Sequence, residues 1–251
     1  MRIYRLQIRI IQISVLITMI VTVFGLVNVW QAPKGQPAGG NSTVQNDNTN
    51  NTGRTGSENG TTPQNNSPVD GSAKLTNTKI ICLGDSYTYG YPGQPKDSWP
   101  DRLAGILKIE AVNAGKVYQN SGDLAERFDQ DVLGKKPGRV VIFAGVGDAL
   151  RGKKLEEYQK NIKAMVEKAQ ANQIIPVLAL PVPYPGTDKL CKEYRDWELA
   201  YAHEKNLSVL DFKGVLFDTN GIIFKKYSDD GKYPNKSGYQ AMGDYAATVL
   251  K

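Results

Sequence analysis

The stretch Lys79–Gly90, KIICLGDSYTYG, contains the sharpest change of character in the chain. Four apolar residues, Ile80–Leu83, stand together without interruption, as in a β-strand that is covered on both faces. Gly84, Asp85 and Ser86 follow directly and end the strand. Because parallel α/β sheets bind ligands beyond the carboxyl ends of their strands, Ser86 stands where a reactive side chain is useful. We therefore interpret Ser86 as a candidate nucleophile, in a chain that has one histidine.

Further apolar runs follow this stretch, and segments with helical spacing separate them. The predicted strands are Lys79–Leu83, Glu110–Asn113, Arg139–Ala144, Ile174–Ala179 and Ser208–Asp211. The predicted helices are Trp99–Leu107, Asp123–Leu133, Leu155–Asn172, Leu190–Lys205 and Lys236–Leu250. This alternation predicts an α/β domain over residues 76–251, with a five-stranded parallel sheet and helices on both of its sides.

The first 30 residues predict a membrane anchor. Arg2, Arg5 and Arg9 precede an uncharged run from Ile10 to Trp30, which matches the ~20 residues that span a bilayer as a helix. Basic residues on the N-terminal side indicate that this end is cytoplasmic and that the following domain is extracytoplasmic. A cleaved signal peptide is the alternative, but its apolar core is shorter and small residues follow it. We expect a single-pass, uncleaved anchor in the cell membrane.

Residues 31–75 predict a disordered linker. They are rich in Asn, Thr, Gly, Ser and Pro and contain almost no large apolar residue. Such a segment cannot bury enough apolar surface to offset the entropy cost of folding. We expect it to hold the domain away from the membrane.

Charge and cysteine usage exclude several classes of function. Residues 76–251 contain 25 basic and 22 acidic side chains without a concentrated basic stripe, so we expect no nucleic-acid partner. Cys82 falls in a predicted central strand and Cys191 follows a loop, so we expect two unpaired thiols. No Cys/His spacing indicates a zinc site, and we expect neither a metal nor an organic cofactor.

Four short blocks of the domain resemble the SGNH/GDSL hydrolases, which are serine esterases and lipases. Gly84–Ser86 resembles the nucleophile block, and Ser121–Asp123 resembles the second block, whose glycine donates a backbone N–H. Gly145–Asp148 stands where the family has G-x-N-D, and Asp230–Asn235 stands where it has D-G-x-H-P-N. The resemblance implies a flavodoxin-like three-layer sandwich and hydrolysis of acyl esters, such as an acetyl ester on a surface glycan.

The same resemblance assigns roles to individual residues. Ser86 would be the nucleophile and Asp230 the orienting acid, with Tyr233 in the place of the histidine. The oxyanion would be bound by the N–H groups of Ser86 and Gly122, with Gly147 in the place of the asparagine.

Asp85, Asp148 and Tyr184 are candidate substrate-binding residues near the same strand ends. Each also has a structural interpretation, because the two carboxylates suit helix caps and the tyrosine suits packing. His203 lies near the end of a predicted helix that enters the fifth strand, so we expect it to be solvated and non-catalytic. Lys232 is a further candidate base, but its place in the block predicts that it points away from the serine.

The two departures from the family pattern leave two hypotheses open. Tyrosine has a pKa near 10 and is a poor base at neutral pH. In subtilisin, loss of the catalytic histidine alone costs on the order of 10⁶ in turnover. The first hypothesis is a membrane-anchored hydrolase of low or atypical activity on an acylated small molecule or cell-surface glycan. The second is a non-catalytic module that binds a surface glycan, peptide or protein.

Overall fold

A computed structural model gives the structure of residues 76–251. The anchor expected over residues 1–30 and the linker expected over residues 31–75 lie outside this range, and both stay predictions. Within residues 76–251, no helix is both long enough and apolar enough to cross a membrane.

The centre of the domain is a parallel sheet of five strands in the order β2-β1-β3-β4-β5. The strands are β1 (Ile80–Gly84), β2 (Ala111–Gly115), β3 (Arg139–Phe143), β4 (Ile175–Ala179) and β5 (Ser208–Leu210). This order is the flavodoxin-like one, in which the direction of winding reverses between β1 and β3. The predicted five-stranded parallel sheet is therefore confirmed.

Nine helices connect and flank these strands within the described residues. They are α1 (Ser86–Tyr89), α2 (Trp99–Leu107), α3 (Ser121–Glu126), α4 (Phe128–Asp131), α5 (Val146–Leu150), α6 (Leu155–Ala171), α7 (Asp188–Glu204), α8 (Lys213–Leu216) and α9 (Lys236–Leu250). Short 3₁₀ turns occupy Pro95–Asp97, Leu133–Lys135 and Lys225–Tyr227. Predicted helices at α2, α6, α7 and α9 are confirmed to within two residues at each end.

Helices cover both faces of the sheet. All five residues of β1 are buried, and successive strand residues point to opposite faces, so neither face of that strand is open to water. Helix α2 packs against α9, while α6 packs against α3 and α7. In the core, the ring of Phe212 lies 5.4 Å from those of Trp99 and Phe143.

The single helix predicted over Asp123–Leu133 is wrong. Helix α3 begins earlier because the Asn120 side chain accepts N–H bonds from its first turn, and the Asp123 carboxylate accepts the Asn120 N–H in return. The helix stops at Arg127, whose side chain turns inward to donate to the Gly84 carbonyl at 3.0 Å. A separate short helix, α4, then starts at Phe128.

The predicted unpaired cysteines and the predicted solvent exposure of the histidine are confirmed. Cys82 in β1 and Cys191 in α7 are both buried and unpaired. His203 is exposed in the last turn of α7.

Candidate active site

Ser86 is the first residue of α1 and follows directly from β1. The chain turns there because the Asp85 side chain caps the helix, accepting the Tyr87 N–H at 2.9 Å. Ser86 lies beside the point where the strand order reverses, which is where sheets of this topology bind ligands. Its exposure is 4%, so a nucleophile here is largely shielded from bulk water.

A cavity of about 190 Å³ opens beside Ser86. Its lining consists of Asp85, Ser86, Tyr87, Tyr118, Gln119, Val146, Gly147, Leu150, Arg151 and Tyr233. The structure thus brings four of the predicted site residues to one cavity: Ser86, Tyr233, Gly147 and Asp85. Gly122, Asp148, Tyr184 and Asp230 lie outside this lining.

The phenol of Tyr233 is held in a group of tyrosine rings. The centre of its ring lies 4.9 Å from that of Tyr91, 5.4 Å from Tyr87 and 5.5 Å from Tyr184. Burial, together with hydrogen bonding to Tyr184, raises the pKa of Tyr233 well above its ordinary value, and hydrogen bonding to Ser86 lowers it by less. The phenol is therefore neutral at physiological pH and is no ordinary base.

Asp230 organises the loop that carries Tyr233. Its Oδ1 atom accepts the N–H groups of Lys232 at 2.8 Å and Tyr233 at 2.9 Å, and the Ser228 hydroxyl at 3.1 Å. Partial burial works to raise the pKa of Asp230, but these hydrogen bonds outweigh it and the pKa is lowered. The carboxylate thus stays ionised and fixes the backbone of Tyr233, while the Lys232 side chain is exposed.

Asp148 and Gly122 belong to the connection between α5 and α3. The buried Asp148 carboxylate accepts the Ser121 N–H at 2.9 Å and the Ser121 hydroxyl at 2.6 Å. Burial raises the pKa of Asp148 even though both bonds from Ser121 lower it. The Gly122 N–H donates to Asn120 Oδ1 at 2.8 Å, so in this structure it serves the helix cap.

The Asp85 carboxyl group adds a titratable group to the cavity wall. Burial raises the pKa of Asp85 to about 7, although the Tyr87 N–H lowers it. The nearby Asp148 carboxylate raises the pKa of Asp85 further. The wall beside Ser86 therefore changes charge close to neutral pH.

Gly147 has no room for a side chain. A Cβ atom at this position would lie 2.0 Å from the carbonyl oxygen of Gln119 and 2.8 Å from its carbonyl carbon. Real Cβ atoms do not approach backbone this closely, so an asparagine here would require the Gln119 segment to move. The segment occupies the space that a side chain at position 147 needs.

Two residues that line the cavity are absent from the sequence predictions. The backbone N–H of Tyr118 donates to Ser86 Oγ at 2.9 Å. Arg151 donates to the Tyr118 carbonyl at 2.6 Å and to the Gly147 carbonyl at 2.9 Å. The sequence offered one signal for Arg151, since it follows Gly147 by four residues and so shares a helix face with it. It offered none for Tyr118, whose contribution is a backbone group.

The family of the chain agrees with this geometry. Residues 82–241 match the model of the GDSL-like Lipase/Acylhydrolase family. That range covers more than half of the chain and includes Ser86, Gly147 and Tyr233. The chain therefore belongs to this family, and its described part is a hydrolase-family domain.

Individual relatives support the same assignment. A solved structure from Desulfitobacterium hafniense DCB-2, assigned to the G-D-S-L family of lipolytic proteins, is 51% identical with a TM-score of 0.68. The match covers 69% of this chain and 99% of that one. An arylesterase of Vibrio mimicus is 23% identical over 192 residues, which cover 71% of this chain and 90% of the relative.

A third relative matches over a shorter range. An uncharacterized lipoprotein of Bacillus subtilis strain 168 is 29% identical over 117 residues, or 41% of this chain. The chain spans about half the length of that relative, since the match covers 48% of it.

Proposed function

We propose that the domain is a serine ester hydrolase of low or atypical activity, with Ser86 as its nucleophile. One observation carries the proposal: Ser86 Oγ lies at a cavity shared with the Tyr233 phenol, and a backbone N–H points at it from 2.9 Å. Membership of a family of lipases and acylhydrolases supports this chemistry. The departure from an ordinary triad is the neutral phenol beside the serine.

The reaction proceeds in two balanced steps. Ser86 Oγ forms a bond to the acyl carbon, the ester C–O bond breaks, and the serine proton reaches the departing oxygen to give the alcohol. Water then attacks the acyl-serine, releases the carboxylic acid and restores the hydroxyl. Tyr233 relays the proton in each step by accepting one and donating its own, and so stays neutral. A phenol drives proton transfer less strongly than an imidazole at pH 7, so turnover is slow.

The cavity favours a short acyl group. Its volume of about 190 Å³ is below the roughly 300 Å³ at which drug-sized ligand pockets begin. Val146, Leu150 and the tyrosine rings give it apolar walls that suit a methyl or ethyl group. We propose an acetyl or similarly short ester as the substrate, on a small molecule or a cell-surface glycan.

Hydrolysis of p-nitrophenyl acetate and octanoate tests this function. We expect the acetate to be preferred and Ser86→Ala to reduce the rate to background. Tyr233→Phe keeps the ring packing and removes the hydroxyl, so we expect a loss of about 10- to 100-fold in kcat. Hydrolysis that continues unchanged in Ser86→Ala would contradict the proposal.

A binding module is the second candidate, and the neutral phenol of Tyr233 is the observation that favours it. In that case the cavity holds an acylated ligand without turning it over. Wild-type protein would then leave both esters intact, while an acetylated oligosaccharide would shift the NMR signals of the cavity residues in a saturable way.

We further propose that the domain is held at the outer face of the cell membrane. The arginines at positions 2, 5 and 9 and the apolar run from Ile10 to Trp30 support this location. One relative is named a lipoprotein, although in this chain no cysteine comes directly after the apolar run, and the first one is Cys82. Protease added to cells whose outer face is accessible should degrade the domain, and full protection in such cells would contradict the location.

A further inference from the structure

The loop Lys116–Asn120, here named the β2–α3 loop, runs across the cavity in an unusual conformation. Tyr118 in this loop has a φ of 61°, in the left-handed region. That region is uncommon for residues other than glycine, because it costs conformational free energy. The conformation therefore persists because the surrounding structure holds it.

Two arginines donate hydrogen bonds to the β2–α3 loop. Arg151 donates to the Tyr118 carbonyl at 2.6 Å and, with its other terminal nitrogen, to the Gly147 carbonyl at 2.9 Å. Arg127, which is buried, donates to the Gln119 side chain at 2.6 Å and to the Gly84 carbonyl at 3.0 Å. One guanidinium thus ties the loop to α5, and the other ties it to the end of β1.

The glycine at position 147 permits this arrangement. The Gln119 carbonyl occupies the position of a side chain there, so any larger residue would displace the loop. Arg151 directly follows the last residue of α5 and bonds the carbonyl of the same glycine. The position of the β2–α3 loop therefore depends both on the glycine at position 147 and on the hydrogen bonds of Arg151.

We propose that Arg151 is a positioning residue that acts on Ser86 through the Tyr118 backbone. By holding the Tyr118 carbonyl, Arg151 fixes the orientation of the N–H of the same residue. That N–H donates to Ser86 Oγ at 2.9 Å. The N–H stabilises the negative charge that develops on Oγ when its proton leaves. The catalytic part of this inference rests on the proposed hydrolase function.

The hydrogen bond from the Tyr118 N–H to Ser86 Oγ becomes stronger when Oγ gains negative charge. A hydrogen bond to an ionised oxygen is roughly twice as strong as one to a neutral oxygen. The bond therefore strengthens while the Ser86 proton passes to the Tyr233 hydroxyl and Tyr233 gives its own proton to the departing ester oxygen. It weakens again once the electron pair on Oγ has formed the bond to the acyl carbon, because the negative charge then moves to the carbonyl oxygen. Because Ser86 is only 4% exposed, water competes little for this charge.

The rate at which a fluorophosphonate labels Ser86 in the full-length chain tests the catalytic part. We expect Arg151→Gln to slow labelling and to lower kcat by about 10- to 100-fold, with little change in KM. Arg151→Lys keeps the charge but loses the two-pronged geometry of the guanidinium. Its labelling rate and kcat should therefore lie between those of wild type and Arg151→Gln. Arg102→Gln removes an exposed arginine that pairs with Asp244 and serves as the matched control.

An Arg151→Gln variant that labels as fast as wild type would overturn the inference while leaving the hydrolase function intact. An Arg151→Lys variant equal to wild type would assign the effect to charge alone and would also overturn it. Wild-type protein without labelling at Ser86 would instead overturn the hydrolase function and the catalytic part together.

Amide hydrogen exchange at Tyr118 tests the positioning part without reference to activity. The Tyr118 N–H should exchange slowly in wild type, because Ser86 Oγ accepts it. Both Ser86→Ala and Arg151→Gln should accelerate that exchange at least tenfold, whereas Arg102→Gln should not. Equal exchange in wild type and Arg151→Gln would contradict the positioning role even in an active enzyme.

Discussion

The glycine at position 147 is fixed by a backbone contact rather than by its own conformation. A Cβ atom there would lie 2.0 Å from the Gln119 carbonyl oxygen, and backbone cannot yield as the end of a side chain can. A side chain at this position would therefore require the β2–α3 loop to take another path. Replacing Gly147 alone cannot place a side-chain donor in the cavity, because the loop fills the space.

Gly147→Ala should destabilise the protein by about 1–3 kcal/mol through overpacking. The expected readout is a lower free energy of unfolding in urea, together with faster amide exchange at Tyr118. Gly105→Ala provides the control, since a Cβ atom in this α2 position meets nothing within 4 Å. Alanine there should stabilise the helix by roughly 0.5–1 kcal/mol. A Gly147→Ala variant as stable as wild type would contradict the close contact.

The sequence predicted some of these residues and not others, for a physical reason. Ser86 was predictable because an apolar strand and a capped turn specify its place locally. The crowding at Gly147 was not, because residues 28 positions apart in the sequence create it. The Tyr118 N–H was equally hidden, since a backbone donor leaves no mark in the residue type.

At the level of the elements, the break between α3 and α4 contains a buried arginine. Arg127 lies at this break, and its side chain is 8% exposed. It donates hydrogen bonds to Gly84, Gln119 and Asp131. Burial works to raise the pKa of Asp131, but hydrogen bonding to Arg127 and the charges of Lys116 and Arg127 lower it. One guanidinium therefore joins the end of β1, the β2–α3 loop and α4.

Arg127→Leu should lower the free energy of unfolding by about 3 kcal/mol, because it removes a largely buried donor that bonds acceptors on three elements. Arg102→Leu removes an ion pair in which both side chains are about half exposed, and should cost less than about 1 kcal/mol. Urea denaturation of both variants measures the difference. Equal stability of the two would show that Arg127 does not hold these elements together.

The same residue explains why element boundaries were predicted unevenly. Strands β1 to β5 and helices α2 and α9 follow from local apolar patterns, and their predicted limits agree closely with the structure. The pattern over Asp123–Leu133 also looked helical, but tertiary contacts of Arg127 interrupted it. An inward-turning arginine cannot be distinguished from a solvated one by spacing alone.

At the scale of the whole molecule, buried acids make stability depend on pH. Burial raises the pKa of Glu198 from its ordinary 4.5 to about 8, although the Tyr158 hydroxyl and Arg195 oppose the shift. Burial raises the pKa of Asp85 from 3.8 to about 7. In both cases the folded state binds a proton that the unfolded state has released. Their stabilising effect is complete below the unfolded pKa values and is lost as pH rises through the folded ones.

The free energy of unfolding should therefore fall as pH rises from about 5 to 8, by up to roughly 1.4 kcal/mol per pH unit for each acid while the pH lies between its unfolded and folded pKa values. Glu198→Gln should remove most of the pH dependence of the unfolding free energy between pH 7 and 8, because Asp85 contributes little to the slope in that range. Glu193→Gln, an exposed position on the same helix, should leave the curve unchanged. Urea titrations across this range measure the slopes. A wild-type curve without a slope would contradict the raised pKa values.

The site at which a fluorophosphonate attaches tests the central claim, that Ser86 is a nucleophile held in a functional cavity. Full-length wild-type protein, Ser86→Ala and Arg102→Gln would be treated alike, and digestion with mass spectrometry would locate the added phosphonyl group. We predict one group per chain on Ser86 in wild type and in Arg102→Gln, and none in Ser86→Ala. Folded wild-type protein that takes up no phosphonyl group, or that carries it on another residue, would contradict the account.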